Sequence, residues 1–460
     1  MWIDASKMAS GKFHNLGEEQ RALHESWDDI VRVVLLVAAL SVAVWAACAA
    51  LRLSVHAASE WLFHSATHTG TLGMVGLVAA LVVGGVVRSA LIRLPGWKDA
   101  AGDGMSVALS NYHVTYGDEV DDPTPRYERA AFGLAARKWL TTFITLASGG
   151  SGGLEAPVVT LGEAIGAGWS RVMRSVSEHE LRTYQLAAIA AGVSTLLGAP
   201  FTAALFAIEI AYTDRIVYRK LMYCLFAAVI AYVLNNRVFG FTPLFVATPH
   251  DQVYSLTEYA VTAVTAVLVS APVALAFGLV MAQTKALVER VQPIWHGAAG
   301  GLGVGVIVAA LWFGLGIDPV HVLGMGEHTI AELLAGDPHV RVWWVLLVIL
   351  VGKMLTTGLT IQSGGSAGIL VPSMVFGGVA GGLVAELLNL SGALGTLDTS
   401  VFVVAGIASA LVAVIGVPLA AIALVLEVFG SQYGPPAIVS CGVTYVLTLR
   451  LSVYREQRIE

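Results

Sequence analysis

Charge is what this chain has least of. Only 13% of its 460 residues are Asp, Glu, Lys or Arg, about half the usual share in a water-soluble domain. The net charge of −6 is spread along the chain and offers no basic face to nucleic acid. Three cysteines, Cys48, Cys224 and Cys441, stand far apart, in or beside apolar runs. They read as small core residues rather than a disulfide frame or metal site. H-E-x-x-H, G-x-S-x-G and paired catalytic acids are all missing, so no enzyme is expected, and no cofactor or metal is implied. The polar segment 1–29 lacks the apolar core of a cleavable signal peptide.

Apolar residues make up 56% of the chain, and the mean hydropathy is +0.75. Runs long enough to cross a bilayer lie near 31–51, 71–92, 217–235, 254–283, 297–315, 342–361 and 399–417. The fold class expected is an all-α polytopic membrane protein in a lipid bilayer. The 254–283 run would measure about 45 Å as a helix and must tilt or overshoot the membrane. Basic residues orient the chain. Arg215, Arg219 and Lys220, then Lys285 and Arg290, then Arg450, Arg455 and Arg458 mark the cytoplasmic side. The stretch 313–340, with Asp318, Glu327, Glu332 and Asp337, marks the outside. Both termini are then expected in the cytoplasm, and a bacterial inner or plasma membrane is the expected setting.

One sentence is written twice. Residues 138–162 read KWLTTFITLASGGSGGLEAPVVTLG, and residues 353–377 read KMLTTGLTIQSGGSAGILVPSMVFG. Lys138 and Lys353, Pro157 and Pro372, and Gly162 and Gly377 all align at one offset (353 − 138 = 215). A second echo pairs GAPFTAALFAIEI (198–210) with GVPLAAIALVLEV (416–428), at an offset of 218 (427 − 209). The chain therefore divides into a first membrane repeat, 30–240, and a second, 254–452, followed by a short tail, 453–460. The repeated segments are short, Gly-rich and interrupted by Pro. Paired broken segments in two halves point to a transporter site near the midplane. Each SGGSGG-type stretch would deliver a helix N-terminus there, and two such ends favour an anion. The glycines could instead serve close helix packing.

At one position the copies differ in kind: Glu155 against Leu370. A carboxylate at a helix N-terminus can imitate a permeant anion, compete with it, and swing away when protonated. A plain helix cap is the other reading of Glu155.

These residues resemble the CLC family of voltage-gated chloride channels and chloride–proton antiporters, in its bacterial form without CBS domains. GLEAP (153–157) is similar to the family's G-[KR]-E-G-P gating motif, and GILVP (368–372) to its G-x-F-x-P motif. GAPFTAALFAIE and SVY (452–454) also match. The resemblance implies an inverted-topology repeat of broken, tilted helices. It also implies a homodimer with a separate pathway in each subunit. Glu155 would be the gate. The anion would be held by the backbone of Ile369 and Leu370 and the hydroxyl of Tyr454, with Gly153 and Gly368 shaping the site.

There are four departures from the family pattern. Leu154 and Ala156 replace a basic residue and a glycine beside the gate. Leu370 stands where Phe is frequent. Asp103 replaces the anion-binding serine in Gly102-Asp103-Gly104-Met105-Ser106. Asp103 reads as a helix N-cap, and Ser106 offers a hydroxyl at a shifted position. Finally, Ile210 stands where proton-coupled members often carry a second glutamate, next to the position matched by Glu209. An alkyl group carries no proton, which favours an uncoupled, channel-like path. A chloride–proton exchanger and a variant selective for another anion such as fluoride remain the alternatives. Glu209 and Glu427, kept in both halves, read as structural acids. Glu163 lies eight residues beyond Glu155, about 80° round the same helix, and is a possible proton relay. No regulatory module is expected after Tyr454.

Overall fold

The computed structural model describes residues 27–114, 131–173, 178–212, 216–240, 245, 255–395 and 397–448. Tyr454, Arg215 and the closing arginines Arg450, Arg455 and Arg458 lie outside them, as do the segments 1–26 and 453–460. Helices account for nearly everything described. In the first half they are α1 (Trp27–His68), α2 (Thr71–Ile92), α3 (Met105–Val114), α4 (Ala131–Ala147), α5 (Glu155–Val172), α6 (Glu178–Leu197), α7 (Pro200–Ala211) and α8 (Tyr218–Phe239). In the second half they are α9 (Leu256–Val288), α10 (His296–Leu315), α11 (Glu327–Ala335), α12 (Trp343–Gln362), α13 (Leu370–Ser391), α14 (Thr399–Ala410), α15 (Pro418–Leu424) and α16 (Gly434–Thr448). Among the described residues the only β pairings are two isolated bridges: Gly153–Gly368 joins the two copies of the motif, and Ser151–Gly324 joins the first copy to the loop before α11.

Among the described residues seven helices are long and apolar enough to cross a membrane. Their outward faces are apolar, as at Leu72, Leu256 and Leu390, which suits hydrocarbon rather than water. Six of the seven fall on the runs read from the sequence. The seventh is α13, Leu370–Ser391, and not 399–417. The 399–417 run breaks because Leu411–Ile415 forms a π turn that ends at Gly416 in the left-handed region (φ 83°). Pro418 then starts a new helix, since proline lacks the N–H needed to continue the old one. Four glycines within α13 dilute its hydropathy and hide its length. The 254–283 run is longer still, a 33-residue helix with Pro272 inside it. Its start is fixed by a capping box between Ser255 and Glu258.

The deepest helices are those that follow the duplicated loops. Every residue of α5 from Glu155 to Gly168 is buried, and α13 is buried from Leu370 to Gly382. Close approach of backbones makes this possible. A Cβ on Gly377 would stand 2.1 Å from the carbonyl oxygen of Gly406 in α14, so α13 and α14 touch main chain to main chain. Lys220, read from the sequence as one of the basic residues that mark the cytoplasmic side, does not lie on the surface. It is fully buried at the start of α8, with Nζ 3.5 Å from the Tyr212 hydroxyl. Hydropathy windows register its charge and miss the acceptor that takes it inside.

Candidate functional site

The two copies of the motif meet each other, residue against matching residue. Gly153 N–H donates to the Gly368 carbonyl at 2.8 Å, and Gly368 N–H donates back to Gly153 at 2.7 Å. The hydroxyls around this pair are exchanged in the same way. Thr142 and Ser366 lie 2.8 Å apart, and Ser151 and Thr357 lie 2.9 Å apart. Ser151 N–H donates to Thr360 Oγ1, and Ser366 N–H donates to Thr145 Oγ1, both at 3.1 Å. Each of these bonds maps onto its counterpart when 215 is added to the first-half residue.

The lysines that open the motif share one task. Lys138 Nζ donates to the Gly102 carbonyl at 2.8 Å, and Lys353 Nζ donates to the Leu323 and Gly324 carbonyls at 2.9 and 2.7 Å. Both are fully buried. Each ties down the loop that leads into a short helix, α3 or α11. Asp103 lies in the first of these loops and acts electrostatically on Lys138. α3 begins at Met105, so Gly104 directly precedes the helix and Asp103, expected from the sequence as its cap, stands one residue earlier. Gly104 has φ 85°, and a Cβ there would meet Thr160 Oγ1 at 2.4 Å and Lys138 Nζ at 2.6 Å. Only glycine fits, so the loop turns at Gly104 and leaves Asp103 one residue short. Ser106 is the second residue of α3 and half-buried.

The glycine pair sets two helix starts together. Glu155 is the first residue of α5, and Leu370 is the first of α13, with Ile369 at its N-cap. A Cβ on Gly368 would stand 2.9 Å from the Ala156 nitrogen, and one on Gly153 would stand 3.4 Å from Val371 Cβ. Ile369 and Leu370 are buried at 2% and 3% exposure, so the N–H groups of this first turn point into protein, without intrahelical carbonyls to receive them. The Glu155 side chain lies here too, 2% exposed. The amides of Glu155 itself, of Val371 across the junction and of Leu154 bear on its carboxylate. Its Oε2 is buried and makes no hydrogen bond of full geometry among the described residues. A carboxylate in the meeting place of two positive helix ends stands where an anion would be stabilised.

Two further acids form a second reciprocal pair. Glu209 in α7 accepts from Leu419 and Ala420 N–H at 2.9 and 2.7 Å, capping α15. Glu427 accepts from Phe201 and Thr202 N–H at 2.9 and 2.7 Å, capping α7. Glu163 is fully buried in α5, with Gln185 Nε2 at 2.8 Å and Asn111 Nδ2 at 3.4 Å. Next to Asn111, the Tyr112 hydroxyl lies 2.7 Å from that of Tyr212, which in turn meets Lys220. The first group ties α3, α5 and α6 together, and the second ties α3 to the end of α7 and the start of α8. From sequence, only Glu163 was singled out. Ile210 is fully buried in α7, two residues before Tyr212.

Sequence reasoning also missed Glu327, the first residue of α11, and read it only as one charge of an acidic loop. It is half-buried, faces Arg52, Lys353 and His328, and acts on Glu155. Burial pushes its carboxyl up to about 7, against the pull of those three cations. On the same helix His328 Nδ1 lies 3.3 Å from Glu332 Oε1, and His321 Nε2 lies 3.7 Å from Glu332 Oε2.

A family model described as voltage gated chloride channel matches residues 79–449. A chloride/fluoride channel protein of Pseudomonas syringae pv. tomato is 26% identical over 349 residues, covering 74% of this chain and 72% of the relative. The H(+)/Cl(-) exchange transporter ClcA of Salmonella agona is 28% identical over 310 residues, covering 65% of this chain and 62% of the relative. Among solved structures, a CLC-type fluoride/proton antiporter superposes with a TM-score of 0.76 at 22% identity, over 95% of this chain and all of that one. A slow cyanobacterial Cl-/H+ antiporter gives 0.78 at 17% identity, over 92% and 95%. At these identities the two structures speak for the fold.

Proposed function

The chain belongs to the voltage gated chloride channel family, and on that footing we propose that it passes chloride or a similar small anion through a pathway gated by Glu155. The observation that carries this reading is the place of the Glu155 carboxylate. It lies where α5 and α13 begin, with the amide of Val371 from the other half bearing on it. An ionised side chain there competes with the permeant anion for the same N–H groups. Protonation removes its charge and its claim on those groups, and the anion takes the place. The backbone of Ile369 and Leu370, shaped by the Gly153–Gly368 pair, is the matching anion contact, and Tyr454 is the proposed hydroxyl partner. Ser106, and Asp103 with less direct access, are proposed to flank it. Glu209 and Glu427 are structural, each serving a helix start of the opposite half. In this reading 30–240 and 254–452 are two repeats, the termini are cytoplasmic, and two copies pair as a homodimer with one pathway each.

Ile210 favours transport without tight proton coupling, because a fully buried alkyl side chain holds no proton. One observation favours the second reading, a chloride–proton antiporter. Two hydrogen-bonded groups, Glu163 with Asn111 and Gln185, and Tyr112 with Tyr212 and Lys220, offer exchangeable protons, with Glu163 as relay. Relatives of both kinds, a channel and an exchanger, are similar to this chain. Purified protein in liposomes under a chloride gradient, with internal pH recorded, separates the two. Chloride movement with unchanged internal pH supports the uncoupled path; protons driven against their own gradient support the antiporter. Fluoride in place of chloride in the same assay ranks selectivity.

A further inference from the structure

The loops 151–153 and 324–326 run side by side. Ser151 and Gly324 form a parallel bridge, and Gly152 N–H donates to the Gly324 carbonyl at 3.0 Å. In a parallel bridge both chains leave in the same direction. Glu155 stands three residues beyond Gly152, the donor of that bond, and Glu327 three beyond Gly324, its acceptor; counted from the bridged pair the offsets are four from Ser151 and three from Gly324. Each acid is the first residue of its helix, α5 and α11. Three residues of chain span at most about 10 Å, so neither acid can stray far from the shared bond. The duplicated arrangement has no acid at the corresponding place in the first half. There Lys138 holds Gly102 as Lys353 holds Gly324, but the helix after Gly102 begins with Met105.

We infer that Glu327 is a second carboxylate of the gate, whose negative charge sets how readily Glu155 takes up the proton that releases it. This rests on the reading of Glu155 as the gate. The groups that face Glu327 are Arg52 from α1, Lys353 from α12 and His328 beside it on α11, with Glu155 from α5. Arg52, Lys353 and His328 act on the half-buried Glu327, and Glu327 in turn acts on Glu155. The titration of Glu327 near 7 puts its change of charge in the neutral range. Above that range the ionised carboxylate repels a charged Glu155 and favours its protonated form. Below it, Glu327 is neutral and the effect ends. No bond other than O–H changes: a proton from bulk water reaches Glu155, and Glu327 acts through space.

The test is chloride efflux from proteoliposomes across external pH 5 to 9, for the native chain, Glu327→Gln, Glu327→Asp, Glu155→Gln and the double variant Glu327→Gln/Glu155→Gln. Glu327→Gln should move the midpoint of the pH profile down by roughly 0.5–1 pH unit, as loss of one like charge at this range implies. Native and Gln profiles should converge at the acid end. Glu327→Asp keeps the charge and should keep the native midpoint, which a merely structural role for the longer side chain does not predict. Glu155→Gln should be flat with pH, and the double variant no different from it. An unmoved midpoint in Glu327→Gln, beside a flat Glu155→Gln, overturns the role of Glu327 and leaves the gate standing. A Glu155→Gln profile that still follows the native one overturns the gate itself, whatever Glu327→Gln does.

Discussion

Gly153 and Gly368, the same position in two copies of one motif, hold each other by a pair of hydrogen bonds of 2.8 and 2.7 Å. Self-pairing of matched residues is what a two-fold axis through a duplicated chain requires. The hydroxyl pairs Thr142–Ser366 and Ser151–Thr357 repeat that relation on either side. The symmetry is broken at the side chain that follows. One helix opens with a carboxylate and the other with Leu370, and in the proposed function this difference is what lets one half close the site.

Gly153 tests how the gate is seated. A Cβ there would stand 2.3 Å from Glu155 Oε2, but no nearer than 3.3 Å to its next neighbour, Pro372 Cδ. The carboxylate is the movable party. Gly153→Ala should leave a folded protein whose Glu155 is displaced from the helix ends. Chloride efflux at pH 7.5 should rise several-fold, and its dependence on pH should weaken. Efflux that falls with unchanged pH dependence would place the crowding on the backbone instead.

The acid pair Glu209 and Glu427 predicts an unequal cost. Each serves two N–H groups of the other half, yet Glu209 is buried and Glu427 exposed. Glu209→Ala leaves one buried and one part-buried donor, Ala420 and Leu419 N–H, without an acceptor and should cost about 2–4 kcal/mol. Glu427→Ala should cost about 1 kcal/mol, in line with an exposed cap. Detergent-purified variants compared by thermal unfolding at a fixed scan rate check the order. Equal losses would contradict it.

His328 supplies a pH dependence with a definite sign. Its hydrogen bond to Glu332 raises its pKa above the ordinary 6.5, against a smaller opposing effect of burial. A folded value above the unfolded one means the protonated pair stabilises α11 below about 6.5, and that contribution is lost as pH rises through the folded value. Glu332→Gln should bring the His328 titration, followed by NMR of ring-labelled histidine, back towards or below 6.5. A titration unmoved by that substitution would assign the shift elsewhere.

Much of this site is legible in the sequence because duplication writes it twice. The helix starts at Glu155 and Leu370, and the pairing of Glu209 with Glu427, follow from register alone. What register does not carry is contact between segments distant in the chain. Lys220 reads as a loop charge because no local pattern announces Tyr212 as its partner. Asp103 reads as a cap because the crowding of Gly104 by Lys138 and Thr160 comes from other helices. The 399–417 run reads as one span because the π turn before Gly416 interrupts hydrogen bonding without interrupting hydrophobicity. Glu327 is invisible for the same reason: its meaning lies in the Gly152–Gly324 bond, which joins residues 172 apart (324 − 152).

The central claim, that the Glu155 carboxylate is the gate, is tested most directly by chloride efflux from proteoliposomes containing Glu155→Gln, measured from pH 5 to pH 9. The isosteric amide keeps the shape and removes the charge. Efflux independent of pH, at or above the acid-activated native rate, is the predicted result. A Glu155→Gln profile that rises and falls with pH as the native one does would contradict the account.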